Sequence, residues 1–163
     1  MAKPKDVIHL VVTQLDECFA GPAWHGASLY PTLAELDLAQ AWYESAEGLS
    51  AWKVALHCAY WKWRVRKVLL AASGQSISRF GRSPADWPRL PKTLDAANWK
   101  ADLGFLEDHH AALRAAVVEI PASLLWESYD SKGRIYHRLI AGAASHDAYH
   151  TAHVRNIGIP GLI

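Results

Sequence analysis

Cysteine is scarce in this chain of 163 residues, which contains only Cys18 and Cys58. Two cysteines are too few for a disulfide framework, and no Cys-x-x-Cys pair is present. The length alone predicts one domain over residues 1–163, because a chain of this size buries about 68–70% of its unfolded surface without cross-links. With 51% apolar residues, the composition excludes general disorder.

Charge of one sign and long apolar runs are also missing. Lys and Arg total 17 against 16 Asp and Glu, so the net charge is +1. This balance argues against nucleic acid as the main partner, because neutralising phosphates needs a cationic excess. No apolar stretch approaches about 18 residues, and the N-terminal segment does not resemble a secretory signal. We therefore expect a cytoplasmic protein that binds neither membranes nor nucleic acid.

Helical periodicity is present in four long segments, and no segment shows the alternation of a β-strand. The predicted long helices cover about 5–20, 51–72, 95–119 and 134–156. A shorter helix is predicted over about 32–46, with Thr32 as its N-cap and Glu35 completing a capping box. The predicted fold is all-α, a four-helix bundle with one long crossover loop, in which sites are built from inward-facing side chains.

The crossover loop covers residues 74–94 and is rich in glycine and proline, so it cannot continue a helix. A loop of roughly twenty residues is longer than compact domains usually have without a use for it. It carries Phe80 and Trp87. Two interpretations stay open: a packed connection between two helices, or a lid or rim over a cleft.

The chain contains nine histidines, and three of these lie on one face of the last helix. At 100° per residue, His146, His150 and His153 fall within about 40° of the line that also carries the apolar residues Ile135 and Leu139. Two imidazoles four residues apart can reach one ion at about 2.0–2.1 Å, and imidazole suits zinc, nickel, copper or iron. A shared divalent metal and hydrogen-bonded core histidines are the two interpretations of this pattern.

The second long helix carries a single histidine, His57, on a broad apolar face. A lone histidine there would usually be a core residue, but beside an inward pair it becomes the natural third ligand. Three histidines leave one coordination position open, which is typical of a catalytic rather than a structural site. Each ligand also needs an acceptor for its other ring nitrogen, and Asp16, Glu17 and Asp147 are the candidates.

Four segments in this order carry a resemblance to a known family. They are Ala-Trp-His-Gly at 23–26, Leu-His-Cys-Ala-Tyr-Trp-Lys-Trp-Arg at 56–64, Asp-Trp-Pro at 86–88 and His-Asp-Ala-Tyr-His at 146–150. Together they resemble the DinB/YfiT-like family, the DNA-damage-inducible helical metalloenzymes. The resemblance implies an up-down-down-up four-helix bundle, often a homodimer, with a divalent metal on His57, His146 and His150. Characterised members of that family use low-molecular-weight thiols.

His153 departs from the family pattern, since many relatives have glutamine at this place. It lies one turn beyond His150 on the same face of the helix. It could be a fourth ligand that closes the site, an acid or base in the cleft, or a packed side chain.

Two functions from different classes fit these patterns. In the first, an enzyme holds a small thiol as thiolate on the metal and delivers it to an electrophilic substrate; a hydrolase using a metal-bound hydroxide is a close variant. Arg64 or His25 would then hold an anionic group, while Tyr60, Trp61 and Tyr149 would form the pocket walls. In the second, the metal only stabilises a dimeric bundle whose aromatic surface binds a partner.

Overall fold

A computed structural model describes residues 4–162 of the chain. Within this range it contains six α-helices and a 3-10 helix but no β-strand, so the predicted all-α class is confirmed. The α-helices are α1 (Pro4–Phe19), α2 (Leu29–Ala34), α3 (Leu38–Trp42), α4 (Ala51–Ala72), α5 (Ala96–Glu119) and α6 (Tyr136–Asn156), and the 3-10 helix is Ala122–Trp126. None of these helices is both long and apolar enough to cross a bilayer.

The ends of the long helices follow from local capping chemistry. The Ser50 side chain accepts a hydrogen bond from the Lys53 N–H at the start of α4, and Asp95 accepts from the Asn98 N–H at the start of α5. Beyond the end of α4, Gly74 takes a positive φ of 73°, a conformation that glycine adopts without steric cost. The predicted boundaries of these two helices are therefore correct to within a residue.

The predicted helix over 32–46 is wrong, because the chain forms two short helices there instead. Thr32 lies inside α2, and its hydroxyl donates to the Ser28 carbonyl oxygen at 2.8 Å rather than capping a helix. The capping box forms five residues later. The Asp37 side chain accepts from the Gln40 N–H, and the Gln40 side chain accepts from the Asp37 N–H. The capping pattern occurs twice in this segment, and the aspartate version forms the cap.

Among the long helices, α4 contacts both α5 and α6, and α1 also contacts both α5 and α6. Their buried apolar side chains form two clusters. One contains Trp52, Leu56 and Leu106, and the other contains Leu15, Val65, Leu113 and Ile140. Buried polar side chains lie between these clusters along the helices: Lys62 on α4, His110 on α5 and Asp147, His150 and Thr151 on α6. This polar layer is where α4 and α6 bring their histidines together.

Candidate metal centre and its cavity

Three histidines meet at the interface between α4 and α6. His57, His146 and His150 each offer a ring nitrogen, and these three nitrogens lie within 4.8 Å of one another. His57 and His150 are buried and His146 is half-buried. The Nε2 atoms of His57 and His146 are only 3.2 Å apart. The two helices thus bring together the three imidazoles that the sequence analysis identifies as candidate ligands.

The spacing of these nitrogens matches a shared ion. Two imidazole nitrogens bound to one tetrahedral metal at 2.0–2.1 Å lie about 3.3 Å apart. The 3.2 Å between the Nε2 atoms of His57 and His146 fits this value. Without an ion, one hydrogen bond can join that pair, but Nδ1 of His150 is buried with no hydrogen-bond partner in residues 4–162. The cluster therefore offers more nitrogen lone pairs than the surrounding protein satisfies.

A carbonyl group from the crossover loop fixes the tautomer of His57. Nδ1 of His57 lies 2.7 Å from the backbone oxygen of Asp86, so Nδ1 carries the proton and Nε2 keeps a free lone pair. The carboxylate of Asp86 is 3.2 Å from the same nitrogen. This acceptor is not among those the sequence suggests. Asp147 pairs with Lys62, and Asp16 pairs with Arg114.

Burial keeps the three imidazoles neutral. It lowers the pKa of His146 to about 3 and that of His150 to about 4, and the neighbouring imidazoles push both pKa values in the same direction. Burial also lowers the pKa of His57, against the opposing effect of its hydrogen bond to the Asp86 carbonyl. Because a metal binds the neutral form of imidazole, the chain holds all three donors ready at neutral pH.

A second grouping, Cys58 with His146 and Asp147, is also compact enough to hold an ion. Its chemistry is less suitable. Complete burial raises the pKa of the Cys58 thiol well above its ordinary value, which disfavours the thiolate that a metal needs. The Asp147 carboxylate already accepts a hydrogen bond from the buried Lys62 ammonium. Of the two groupings, the three histidines are therefore the better suited to hold a metal ion.

The histidines lie at one end of a cavity of about 950 Å³ between α4, α6 and the crossover loop. Trp87 from that loop stacks on His57, with ring centroids 3.8 Å apart and an angle of 8° between the planes. Phe80, earlier in the loop, instead packs against Phe105 at 5.4 Å. Both interpretations of the loop thus have a part in the structure: its first half packs as a connection, and its second half forms a wall of the cavity.

Comparison with known proteins assigns no family to this chain. No protein-family model, curated protein or solved structure matches it. The donor set and the cavity are therefore the basis for inferring what the site does. Three neutral imidazoles select a divalent transition metal over calcium or magnesium, which prefer oxygen ligands.

Of the six further residues that the sequence suggests for the site, three line the cavity. They are Trp61, Tyr149 and His153. The ring centroid of Trp61 lies 5.8 Å from that of His146, and Tyr149 is largely exposed at the cavity. His153 lies outside the group of nitrogens that can share an ion, although its buried Nδ1 has no hydrogen-bond partner in the described chain.

The other three, Tyr60, Arg64 and His25, are not among the cavity residues. The cavity follows positions 57, 61 and 65 of α4, spaced four residues apart, and so turns away from the faces that carry Tyr60 and Arg64. Tyr60 packs against Phe80 at 5.5 Å, and Arg64 is exposed. His25 lies in the loop after α1, with Nε2 3.5 Å from Sγ of Cys18.

The sequence interpretation misses the far end of the cavity. Lys132, Arg134 and Arg138 line it there, together with Gly142. Arg138 and Gly142 precede His146 by eight and four residues, so their spacing on α6 is the signal that could have identified them. Lys132 and Arg134 come from the turn before the helix, which has no periodicity to reveal them.

Proposed function

We propose that this chain is a metal-dependent enzyme of the DinB-like type, acting on a small electrophilic substrate by transfer of a low-molecular-weight thiol or by hydrolysis. One observation carries the proposal: three imidazole nitrogens within 4.8 Å of one another at the end of a cavity of about 950 Å³. Structural metal sites are closed by four protein ligands, whereas three ligands beside an open cavity leave a position for a substrate or nucleophile.

The residues that would hold the ion are His57, His146 and His150. A bound divalent ion supplies Lewis acidity, which favours the deprotonated and nucleophilic form of a thiol or of water at neutral pH. The chain contributes orientation. The Asp86 carbonyl holds His57 with Nε2 toward the other two histidines, and the Trp87 ring covers the outer face of His57. Such fixed outer partners are the usual means of orienting ligands.

His153 is our proposed proton acceptor or donor in the cavity. It lines the cavity one turn beyond His150, and the centroids of the two rings are 5.9 Å apart. Its Nδ1 is buried, so Nε2 is the ring nitrogen that would bond a group inside the cavity. Trp61 would then provide an apolar wall that excludes water from the reacting groups.

The non-catalytic alternative, a bundle that the metal only stabilises, needs a fourth protein ligand to close the site. His153 is the further imidazole that α6 presents here, yet it is not one of the group whose nitrogens lie within 4.8 Å of one another. This placement favours an open coordination position, and therefore the enzyme.

We further propose that the long helices form the up-down-down-up bundle typical of the DinB-like family. Contacts between α4 and α5 support a parallel pair, because Trp52 bonds Asp102 near the start of both helices and Arg66 lies near His109 further along both. Contacts between α4 and α6 support an antiparallel pair, since His57 contacts His150 while Lys62, later in α4, pairs with the earlier Asp147. A parallel pair requires a long crossover, which residues 73–95 provide.

Metal loading tests the proposed function directly. The tag-free protein should bind about one zinc or cobalt ion per chain, His150→Ala should lose most of that binding, and His153→Ala should keep it. In the cobalt form, a small thiol should shift the visible spectrum, because a coordination position is open. A wild-type protein that binds no ion, or a cobalt spectrum unchanged by thiols and by exchangeable anions, would contradict an open metal centre.

A further inference from the structure

The end of the cavity away from the histidines is positively charged. Lys132, Arg134 and Arg138 line it, and the one carboxylate among the described lining residues, that of Asp86, lies at the histidine end. Arg134 is neutralised by Asp130, with an Nη2 to Oδ2 distance of 2.5 Å. Lys132 and Arg138 make no ion pair with the residues that the structure describes. Among the described residues, these two cations have no anionic partner, so they are the groups that would meet a negative charge inside the cavity.

Gly142 keeps the path between the two ends clear. It lies in the middle of α6, where glycine costs about 0.5–1 kcal/mol relative to alanine. No close packing requires it, because an added Cβ would meet no heavy atom within 4 Å. Its φ is not positive either, so the backbone does not require glycine. A side chain at this position would project into the cavity between Arg138 and His146.

We propose that this cavity binds an elongated molecule whose anionic end, a carboxylate or a phosphate, pairs with Arg138 and Lys132 while its reactive end lies at the three histidines. This inference rests on the proposed function in one respect, namely that the end of the ligand at the histidines is the end that reacts. The anion site itself depends only on the charges and the shape of the cavity.

The geometry of α6 sets the length of that molecule. Arg138 and His146 lie eight residues apart on one helix, which is about 12 Å along its axis. Leu139 and Ala143 from α6 and Val65 from α4 line the stretch between them with apolar side chains. The middle of the ligand is therefore apolar or amphipathic, and its ends are chemically different.

The test compares two probes of equal length, 8-mercaptooctanoate and the neutral 8-mercaptooctanol, by calorimetry on metal-free and zinc-loaded protein. The metal-free protein should bind the carboxylate probe roughly fivefold more tightly than the alcohol, the size expected for a partly exposed ion pair. Arg138→Gln should abolish this preference, and Lys132→Gln should reduce it. Octyl phosphate and octanoate, in the same assay, identify which anion the site prefers.

Gly142→Leu provides the second arm, with Gly104→Leu as its matched control. Gly104 is also in the interior of a long helix with no heavy atom near an added Cβ, but it does not line the cavity. Leu at 142 should weaken both probes roughly tenfold by occupying their path, whereas Leu at 104 should leave both affinities unchanged. Melting temperatures of both variants check that the fold is intact.

The outcomes separate this inference from the proposed function. If zinc does not tighten binding of either thiol but the Arg138-dependent preference persists, the anion site stands and the metal chemistry is wrong. If zinc tightens both thiols equally while wild type and Arg138→Gln show the same carboxylate-to-alcohol ratio, the anion site is overturned. Equal affinities in the wild type and Gly142→Leu would likewise overturn the proposed path.

Discussion

Two groups of buried polar side chains bridge α4 and α6, and they differ in whether the chain itself completes them. In the first, the Lys62 ammonium donates to the Asp147 carboxylate, and each side chain is about 1% exposed. In the second, His57 and His146 turn their Nε2 atoms toward each other, and the buried Nδ1 of His150 has no partner within residues 4–162. The two charges of the ion pair balance each other, whereas the histidine group has a ring nitrogen without a hydrogen-bond partner among the described residues.

This difference separates a structural group from a binding group. A buried pair of opposite charges needs nothing further, since each partner offsets the desolvation of the other. Buried imidazole nitrogens without partners cost free energy unless something else binds them. The two groups occupy the same interface, within about one and a half helical turns of each other, so burial alone does not distinguish them. Convergence of several ring nitrogens does, because His110 also has a buried Nδ1 without a partner in residues 4–162 yet belongs to no described group that could share an ion.

The largest expected effect comes from breaking the ion pair. Lys62→Met should lower the free energy of unfolding by about 3–5 kcal/mol, because it leaves the Asp147 carboxylate buried and uncompensated. The double variant Lys62→Met with Asp147→Leu should recover most of that loss, since an apolar pair of similar volume is tolerated at such sites. Urea unfolding of the three proteins measures both changes.

Lys53→Met is the matched control for that substitution. Lys53 pairs with Glu44 at 2.8 Å, but both side chains are substantially exposed, so its loss should cost less than about 1 kcal/mol. Equal costs at Lys53 and Lys62 would mean that the buried pair is not the structural group we describe.

The next effect concerns the histidine group. Free zinc at 100 times its dissociation constant should raise the free energy of unfolding by about 2.7 kcal/mol, because the ion binds the folded chain. His146→Ala should abolish this stabilisation. His110→Phe should keep it, since His110 is buried against Phe19 and Asp16, away from the three ligands. Stabilisation that survives His146→Ala would place the zinc elsewhere on the chain.

A third prediction uses acid to examine the neighbourhood of the ion pair. Burial, together with the nearby Lys62 charge, lowers the pKa of His110 to about 3. Below pH 6.5 the unfolded chain therefore takes up a proton at this residue before the folded chain does, and stability falls as the pH drops from about 6.5 toward 3. Where this residue is charged in the unfolded chain and neutral in the folded chain, the free energy of unfolding changes by about 1.4 kcal/mol per pH unit.

His110→Phe should make that loss shallower by up to this slope. Urea midpoints of the metal-free proteins at pH 7.5, 6 and 5 provide the comparison. Parallel curves for the wild type and the variant would show that His110 protonates equally in both states. Its burial beside Lys62 would then have no consequence for stability.

Much of the fold follows from the sequence because its signals are local. Ser50 and Asp95 cap the N-termini of α4 and α5 with their side chains. Helical periodicity indicates which faces of the helices are buried. The failure at 32–46 is local as well. Thr32 and Asp37 both begin a capping pattern, and only the structure shows that the threonine hydroxyl bonds to the preceding turn instead.

The site was predictable only where it lies on helices. His146 and His150 share a face by spacing, and the structure brings His57 to them. Asp86 and Trp87 reach His57 from the crossover loop, more than 25 residues away in sequence, so no periodicity places their contact. Arg64 has favourable spacing from His57 on the helical wheel, yet the packing of α6 turns the cavity toward Val65 instead. Loop contacts and the direction of a neighbouring helix are tertiary properties.

The smallest expected effect tests whether that loop contact completes the histidine group. Trp87 stacks on His57 while remaining 40% exposed, so Trp87→Ala should not unfold the protein. It should instead speed zinc release to a chelator by a few fold, because the outer face of His57 becomes open to water and the ring loses part of its orientation. Trp24→Ala is the control, since Trp24 is 99% exposed and does not line the cavity. If both variants release zinc at the wild-type rate, the crossover loop is only a connection, and the ligand orientation comes from α4 and α6 alone.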